Sequence, residues 1–252
     1  MKILVIGNGY IGTMIREYLK GAGYKERLAD ITSATLKPFD VVVNTAAKTD
    51  IDWCEKNKIE TFKSNVEGAV HVAELCAKGG KKYVFISSAC IFDSLEPKDE
   101  YDQPNPACFY TETKVMAERL IEAVNPTSLI LRFRMPVSET PHPRNTLNKI
   151  LSYPKLHNNQ NSFTILEDMF PVMKELIENR EKGVFHLVNE GTISPSEIAV
   201  MVGKDHEVFS KEEESQMFKD QKRAKKVDSI IKSTRIGYLP KIKQRLKEIV
   251  EK

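Results

Sequence analysis

Cysteine, a charge excess of either sign and long apolar runs are all scarce in this 252-residue chain. Four cysteines (Cys54, Cys76, Cys90 and Cys108) are too few for a disulfide scaffold, and none stands in a C-x-x-C pair. The histidines (His71, His142, His157, His186 and His206) are scattered without the close spacing of metal ligands. The expectation is therefore a metal-free protein with reduced thiols, placed in the cytoplasm. No apolar run approaches the ~18–20 residues of a membrane span. The chain enters an apolar segment, Lys2-Ile3-Leu4-Val5-Ile6, without a signal-peptide pattern. A net charge of +3 gives no reason to expect a nucleic-acid or membrane partner. Internal repeats and low-complexity tracts are missing as well. What remains, 41% hydrophobic and 29% charged, is the composition of an ordinary globular chain with a substantial core.

Ile3–Ile6 reads as a buried strand and runs directly into Gly7-Asn8-Gly9-Tyr10-Ile11-Gly12. A G-x-G-x-x-G that follows a strand and opens a helix is a dinucleotide fingerprint. Gly7 permits the tight turn, Gly9 lets backbone approach a pyrophosphate, and Gly12 allows close helix–strand packing. Ile11, Ile15, Tyr18 and Leu19 continue as a helical stripe up to Gly21-Ala22-Gly23. The next strand should end in the residue that reads the adenosine ribose, but Tyr24-Lys25-Glu26-Arg27-Leu28 is short and polar. Either Arg27 meets a 2′-phosphate, which makes NADP the preferred cofactor, or Glu26 binds a free 2′-hydroxyl, which makes it NAD. Both residues also read as plain surface charges, and Asp30 is a candidate contact for the adenine. Phe39–Asn44 is the clearest strand, and Asn44-Thr45-Ala46-Ala47 supplies small residues where it must pass a cofactor. A helix over about residues 60–78 carries Phe62, Val66, Val70, Ala73 and Leu75 at helical spacing, with Asn65 inside it. This alternation predicts an α/β fold, a Rossmann-type doubly wound parallel sheet with ligands at the carboxyl ends of its strands.

A second constellation lies between Tyr83 and Lys114. The strand Tyr83-Val84-Phe85-Ile86 ends in Ser87-Ser88-Ala89-Cys90, and Tyr110 and Lys114 follow at helical i, i+4 spacing, which places them on one face. A phenol with a reference pKa near ~10 is a poor acid–base group at neutral pH, and a nearby ammonium lowers that value. The Ser88 hydroxyl can hydrogen-bond a carbonyl that Tyr110 protonates. About one Tyr-x-x-x-Lys is expected by chance in such a chain, so the pattern gains its meaning from Ser88 and the Gly-rich turn. Ser128–Phe133 is a further buried strand. Beyond it Pro141, Pro143 and Pro154 break the alternation. Residues 1–134 are thus expected to form the dinucleotide-binding core and 135–252 mainly a smaller C-terminal substrate lobe, with part of 183–203 returning to the core. That lobe should hold helices over 145–153 and near 167–179, a strand at 183–188, and a terminal helix over 241–250. Ser194-Pro195-Ser196-Glu197 is a helix start. The basic run Lys222-Arg223-Ala224-Lys225-Lys226 either recruits a phosphate or is a solvated surface offset by Glu212-Glu213-Glu214.

Taken together these motifs resemble the extended short-chain dehydrogenase/reductase family over nearly the whole chain. Within it they are similar to the dTDP-4-dehydrorhamnose reductases. They are more similar to the bifunctional nucleotide-4-keto-6-deoxyglucose 3,5-epimerase/4-reductases of the plant and giant-virus rhamnose pathway. The resemblance rests on Val43-Asn44-Thr45-Ala46-Ala47, Asp52-Trp53-Cys54-Glu55, Ser64-Asn65-Val66-Glu67-Gly68 and Cys90-Ile91-Phe92. It continues in Phe109-Tyr110-x-x-x-Lys114 and Leu131-Arg132-x-Arg134-Met135-Pro136. Pro143-Arg144-Asn145-x-x-x-Lys149-Ile150 and Asn161-Ser162-x-Thr164-Ile165-Leu166 favour the bifunctional group.

The resemblance implies a nicotinamide-dependent reduction by Ser88, Tyr110 and Lys114, with Lys114 also on the nicotinamide ribose and Asn65 supporting their hydrogen bonds. It matches Cys90 to an epimerase cysteine and Lys149 to its partner lysine; on the residues alone Cys90 reads equally as a small buried hydrophobe. Ser88, Cys90, Arg134, Arg144 and Asn145 would contact a nucleotide-sugar substrate, Arg144 through its diphosphate or else as a surface residue. A homodimer is compatible with this reading. The alternatives are a 4-reductase alone, a redox-neutral sugar epimerase, or a non-catalytic regulatory subunit that binds a dinucleotide. Three features depart from the family: the thin second strand, the short loop between Phe92 and Phe109, and Tyr10 where the bifunctional group usually has Trp.

Overall fold

Runs of Val, Ile and Leu that are apolar on both faces cannot lie at a surface, so they stack in the middle of a layered structure. The computed structural model describes residues 1–210, 212–214, 216, 227–237 and 239–251; the basic run at 222–226 lies outside them. Strand β1 (Ile3–Ile6) leads through the Gly-rich turn into α1 (Tyr10–Tyr18), and β2 (Gly23–Lys25) returns beside it. A short α2 (Ser33–Leu36) precedes β3 (Val41–Asn44). Helices α3 (Ile51–Lys56) and α4 (Lys58–Phe62) follow, then one π-helical turn over Lys63–Glu67, then α5 (Gly68–Lys78). The chain continues as β4 (Lys82–Ser88), β5 (Ser94–Lys98), α6 (Phe109–Val124) and β6 (Leu129–Phe133).

Five of these strands (all but β5), with the later β10 (Gly183–Leu187), form a six-stranded sheet in the order β10-β6-β4-β3-β1-β2, every neighbour parallel. The winding reverses between β1 and β3, and their carboxyl ends open a crevice there. Before β10 (Gly183–Leu187) come β7 (Pro136–Val137), α7 (Thr146–Ser152), β8 (Lys155–Leu156), β9 (Thr164–Ile165) and α8 (Leu166–Glu178). After it come α9 (Pro195–Met201), β11 (Glu207–Val208), β12 (Ser229–Ile231) and α10 (Ile242–Val250). No helix among the described residues is long and apolar enough to cross a membrane.

One face of the sheet is covered by α1 and α8, through Ile15, Met169, Phe170 and Met173. The other is covered by α5 and α6, through Val72, Ala73, Cys76, Ala117 and Ile121. The helix expected near 167–179 in the smaller lobe thus packs on the sheet. Its apolar residues 166, 169, 170, 173, 176 and 177 all fall on one side, and that side finds the sheet uncovered. The smaller lobe has its own core, built from β7, α7, α9 and α10 around Leu147, Phe163, Ile198 and Leu246. The second strand is shorter than expected and displaced toward its glycine: Gly23–Lys25 pairs with β1, and Leu28–Asp30 is already a 3-10 turn.

A buried polar chain ties α6 to the sheet. Arg132 on β6 donates from Nε to both Glu118 carboxylate oxygens (3.1 and 3.2 Å) and from Nη2 to Oε2 (2.6 Å), with both side chains 5% exposed. Arg132 Nη1 donates to His186 Nε2 at 3.1 Å, and His186 Nδ1 donates to the Lys232 carbonyl at 2.9 Å. This is the neutral tautomer, and burial, with Arg132 beside it, holds the imidazole pKa below its ordinary value. Ser87 donates to the same Glu118 carboxylate. Removing one member leaves an uncompensated buried charge, so Glu118→Ala should cost about 3–5 kcal/mol. Urea denaturation of wild type and variant checks this, and a loss below about 1 kcal/mol would contradict it.

Candidate active site

The Gly-rich turn fits its purpose in detail. Gly7 has φ of +112°, and a Cβ there would stand 2.6 Å from Thr45 Oγ1 and 2.8 Å from the Ala46 nitrogen. A Cβ at Gly12 would lie 2.4 Å from the Gly7 carbonyl, whereas one at Gly9 meets nothing within 4 Å. The first and third glycines therefore let α1 press on the end of β3, and the middle one leaves open space at the helix N-terminus. No side chain caps α1, so the amides of its first turn, from Tyr10 and Ile11 onward, remain for an anion. Asn8, Gly9 and Tyr10 line a cavity of about 350 Å³. These residues fit a dinucleotide pyrophosphate.

Around the turn, several side chains shape the crevice from behind. Asn44 donates to the Tyr83 hydroxyl at 2.8 Å and accepts from the Ala46 amide at 3.0 Å; Thr45 donates to the Ile6 carbonyl at 2.8 Å. Their side chains hold the end of β3 in place against β1 and β4. Ala46 is half-buried beside them, and Ala47 reaches the wall of a second cavity, of about 460 Å³. Just past β2, Arg27 is bridged to Asp30 at 3.0 and 3.2 Å in an exposed pair. Asp30 thus holds the guanidinium in place, a use other than the adenine contact expected of it.

Ser88, Tyr110 and Lys114 do converge. Ser88 ends β4 and its Oγ accepts from the Cys90 amide at 3.2 Å. Tyr110 opens α6 and is 9% exposed; burial and the nearby Cys90 push its phenol well above the ordinary value, opposed by a hydrogen bond with Ser88. Lys114, buried one turn on, donates to the Ile86 carbonyl at 3.1 Å and stands 4.7 Å from the centre of the Phe85 ring. Burial pulls its ammonium down to about 8, against the opposing influence of Glu118 and Cys54. Desolvation is the largest influence on both groups, raising the phenol and lowering the ammonium. Asn65 sits in the π-helical turn and clamps both backbone groups of Lys48 (2.7 and 2.9 Å), with a third bond to Thr113 on α6 (3.3 Å). Its contact with the reducing residues is therefore indirect.

Cys90 and Tyr110 line one cavity of about 260 Å³. Arg134, 4% exposed, donates from Nη1 to the Cys90 sulfur at 2.9 Å and from Nη2 to the Val227 carbonyl at 2.6 Å and to Asn161. The next residue, Met135, adopts φ of +40° and also lines the cavity. Lys149 and Arg144 lie elsewhere, in the 460 Å³ cavity with Ala47 and Lys48. Asn145 is buried and capping α7: it accepts from the Leu147 amide (3.1 Å) and donates to the Ser138 and Thr140 carbonyls (2.8 and 3.1 Å). Its side chain ties the 138–140 loop to the start of α7. Sequence reasoning missed His157, Asn161 and Asp228 as walls of the Cys90 cavity. Asn161 stood inside a recognised motif; His157 and Asp228 carried no local signal, because the fold alone brings them there.

Residues 1–236 match the family described as the RmlD substrate binding domain. The chain belongs to that family. One relative is the Arabidopsis thaliana trifunctional UDP-glucose 4,6-dehydratase/UDP-4-keto-6-deoxy-D-glucose 3,5-epimerase/UDP-4-keto-L-rhamnose-reductase RHM1. It is 34% identical over 225 aligned residues, covering 80% of this chain and 33% of that protein. The bifunctional dTDP-4-dehydrorhamnose 3,5-epimerase/dTDP-4-dehydrorhamnose reductase of the same plant is 34% identical over 186 residues, 69% of this chain and 61% of that one. Protein L780 of Acanthamoeba polyphaga mimivirus is 31% identical over 233 residues, 82% of this chain and 80% of that one. The crystal structure of the L780 UDP-rhamnose synthase superposes with a TM-score of 0.88 at 27% identity, covering 99% of this chain and 98% of that one. This RmlD-family chain thus spans a third of the trifunctional plant protein and most of L780.

Lys114 gives the RmlD-family site a measurable signature. The unfolded lysine holds its proton up to 10.5, while the folded one sheds it at about 8. Between those values the unfolded state binds more protons, so this lysine makes stability rise with pH. The stability difference between wild type and Lys114→Met should therefore grow by about 3 kcal/mol from pH 8 to 10.5. Urea titrations across that range test it, and a constant difference would show that Lys114 is not desolvated.

Proposed function

We propose that this chain reduces a nucleotide-linked 4-keto-6-deoxyhexose with NADPH, or alternatively NADH, and first exchanges the sugar protons at C3 and C5. The observation that carries this reading is the single cavity shared by Tyr110 and Cys90, with Arg134 on the cysteine sulfur. The names of the relatives supply the substrate class, a uridine or thymidine diphosphate sugar of the rhamnose series. Arg27 at the end of β2 supports the phosphorylated cofactor, because its guanidinium is already held by Asp30. Residues 1–134 together with α8 and β10 serve as the dinucleotide unit, and the remainder serves the sugar nucleotide. We place the protein in the cytoplasm, in keeping with its free thiols.

When bound, the nicotinamide supplies a hydride to C4. Ser88 orients the C4 carbonyl, and the Tyr110 hydroxyl delivers the proton that completes the alcohol. A phenol whose pKa is raised stays protonated at neutral pH, so Tyr110 enters the reaction loaded. Lys114, titrating at about 8, is a proton reservoir one helical turn away. Before reduction, the C4 ketone acidifies the protons at C3 and C5. The Cys90 sulfur takes a proton from one face and a proton from solvent reaches the opposite face, which inverts the carbon, while the Arg134 guanidinium offsets the negative charge that develops beside the sulfur. Lys149 lies outside this cavity, an observation that favours a second reading, a 4-reductase without epimerase activity.

Incubation in deuterated water with NADPH and UDP-4-keto-6-deoxyglucose separates the two. The bifunctional reading expects NADPH oxidation with deuterium at C3 and C5 by proton NMR. Cys90→Ala should lose the deuterium yet still reduce pre-epimerised sugar, and Tyr110→Phe should lose about 10²–10⁴ in reduction while keeping the exchange. Oxidation only of the pre-epimerised sugar, without deuterium uptake, would leave the reductase alone.

A further inference from the structure

We propose that Arg144 binds the pyrophosphate of the dinucleotide rather than the diphosphate of the nucleotide sugar, an inference that rests on the dinucleotide reading above. Two cavities flank the Gly-rich turn at the carboxyl ends of β1 and β3. One, of about 350 Å³, is walled by Asn8, Gly9 and Tyr10; the other, of about 460 Å³, by Ala47, Lys48 and Lys149. Arg144 lines both, and it does not line the cavity that holds Cys90 and Tyr110. Arg144 thus shares a cavity with Gly9 and Tyr10, where the N-terminus of α1 is bare and nothing crowds Gly9. An arginine fork accepts a phosphate through two parallel hydrogen bonds, which a flexible surface lysine does less specifically.

The segment that carries Arg144 is already fixed against the turn. His142 stacks on Tyr10, with ring centres 4.6 Å apart and planes 14° from parallel. His142 Nδ1 accepts from the Arg144 amide at 3.0 Å, and the His142 amide donates to Asn148 at 3.1 Å. Upstream, the Glu167 carboxylate accepts from the Ser138 hydroxyl (2.5 Å) and the Glu139 amide (3.1 Å), and Arg245 pairs with Glu139 at 3.0 Å. Little backbone ordering is therefore left for the ligand to impose. The opposing charges are Glu17 in the first cavity and Asp50 in the second. Asp50 accepts from the Trp53 amide at 2.9 Å as the cap of α3. Lys48 and Lys149 add positive charge on the same wall, so the crevice side facing the turn favours an anion.

Arg144 is exposed and makes no side-chain hydrogen bond recorded among the described residues, so Arg144→Ala and Arg144→Lys should fold as wild type, which circular dichroism checks. The full chain is titrated with NADPH and NADH by nicotinamide fluorescence, and with UDP and dTDP by calorimetry. Arg144→Ala should weaken NADPH and NADH by the same factor, about 10- to 100-fold, and Arg144→Lys by less. The affinity for UDP and dTDP should not change. Unchanged NADPH binding would overturn the inference. So would loss of NADPH alone, which would assign Arg144 to the 2′-phosphate, or loss of UDP or dTDP, which would return it to the substrate. A wild type that binds neither NADPH nor NADH would overturn the dinucleotide reading itself, a distinct result from any of these.

Discussion

The placement of Ser88, Tyr110 and Lys114 is tied to the buried ion pair between Glu118 and Arg132. Glu118 stands one helical turn beyond Lys114 on α6, and Arg132 stands two residues before Arg134 on β6. Ser87, which shares the pair, precedes Ser88 on β4. Ser87, Arg132 and His186 are register partners across β4, β6 and β10, so the network is a cross-strand row that seizes one helix. Ser87 follows Ile86, whose carbonyl accepts from Lys114, and Arg132 lies two residues before Arg134, which reaches Cys90. The ion pair is hidden, yet it sets where the helix lies on the sheet and hence where its phenol points. A buried pair of this kind contributes little net stability compared with an apolar replacement, and its worth is in the one arrangement it permits.

Desolvation governs the titration of the site. Tyr110 and Lys114 occupy adjacent turns of one helix, and simple attraction between phenolate and ammonium would lower the tyrosine and raise the lysine. Burial of both acts in the opposite direction on the tyrosine, favouring the neutral forms of each. A neutral phenol is the form needed to donate a proton, so the hydrophobic setting around Phe85 and Ile86 suits the forward reduction. The π-helical turn at Lys63–Glu67 belongs to the same design: it turns Asn65 inward to grip Lys48 and α6 together, and such turns recur at functional sites.

Much of this was legible in the chain because the signals are local. A strand, the Gly-rich turn and a helix occupy consecutive residues, and Tyr110 with Lys114 needs only the helical repeat. The sheet order and the second cover helix were harder, since whether the apolar side of α8 meets the sheet or the smaller lobe depends on where the strands leave a gap. The capping role of Asn145 was not legible because an Asn before a helix can cap it or bind a ligand, and only its hydrogen bonds reveal the cap. Lys149 and Cys90 matched a family pattern in sequence yet line different cavities, a separation set by the fold and not by anything local to either residue. His157 and Asp228 were silent because nothing in their own neighbourhoods marks them.

The pairing of β5 with β12 has a consequence for how the molecule is made. The Ser229 hydroxyl donates to the Phe92 carbonyl across a sequence separation of 137 residues, and Ser229 pairs with Ser94. Val227 and Asp228, immediately before, supply a carbonyl to Arg134 and part of the wall around Cys90. During synthesis the Gly-rich turn, the first five strands of the main sheet and α6 all emerge before this segment exists. Closing so long a loop is slow, and it is one of the last contacts to form. The nascent chain can therefore assemble most of its main sheet while the cavity that holds Cys90 and Tyr110 is still open on one side, and that wall is complete only once the far end of the chain has come back.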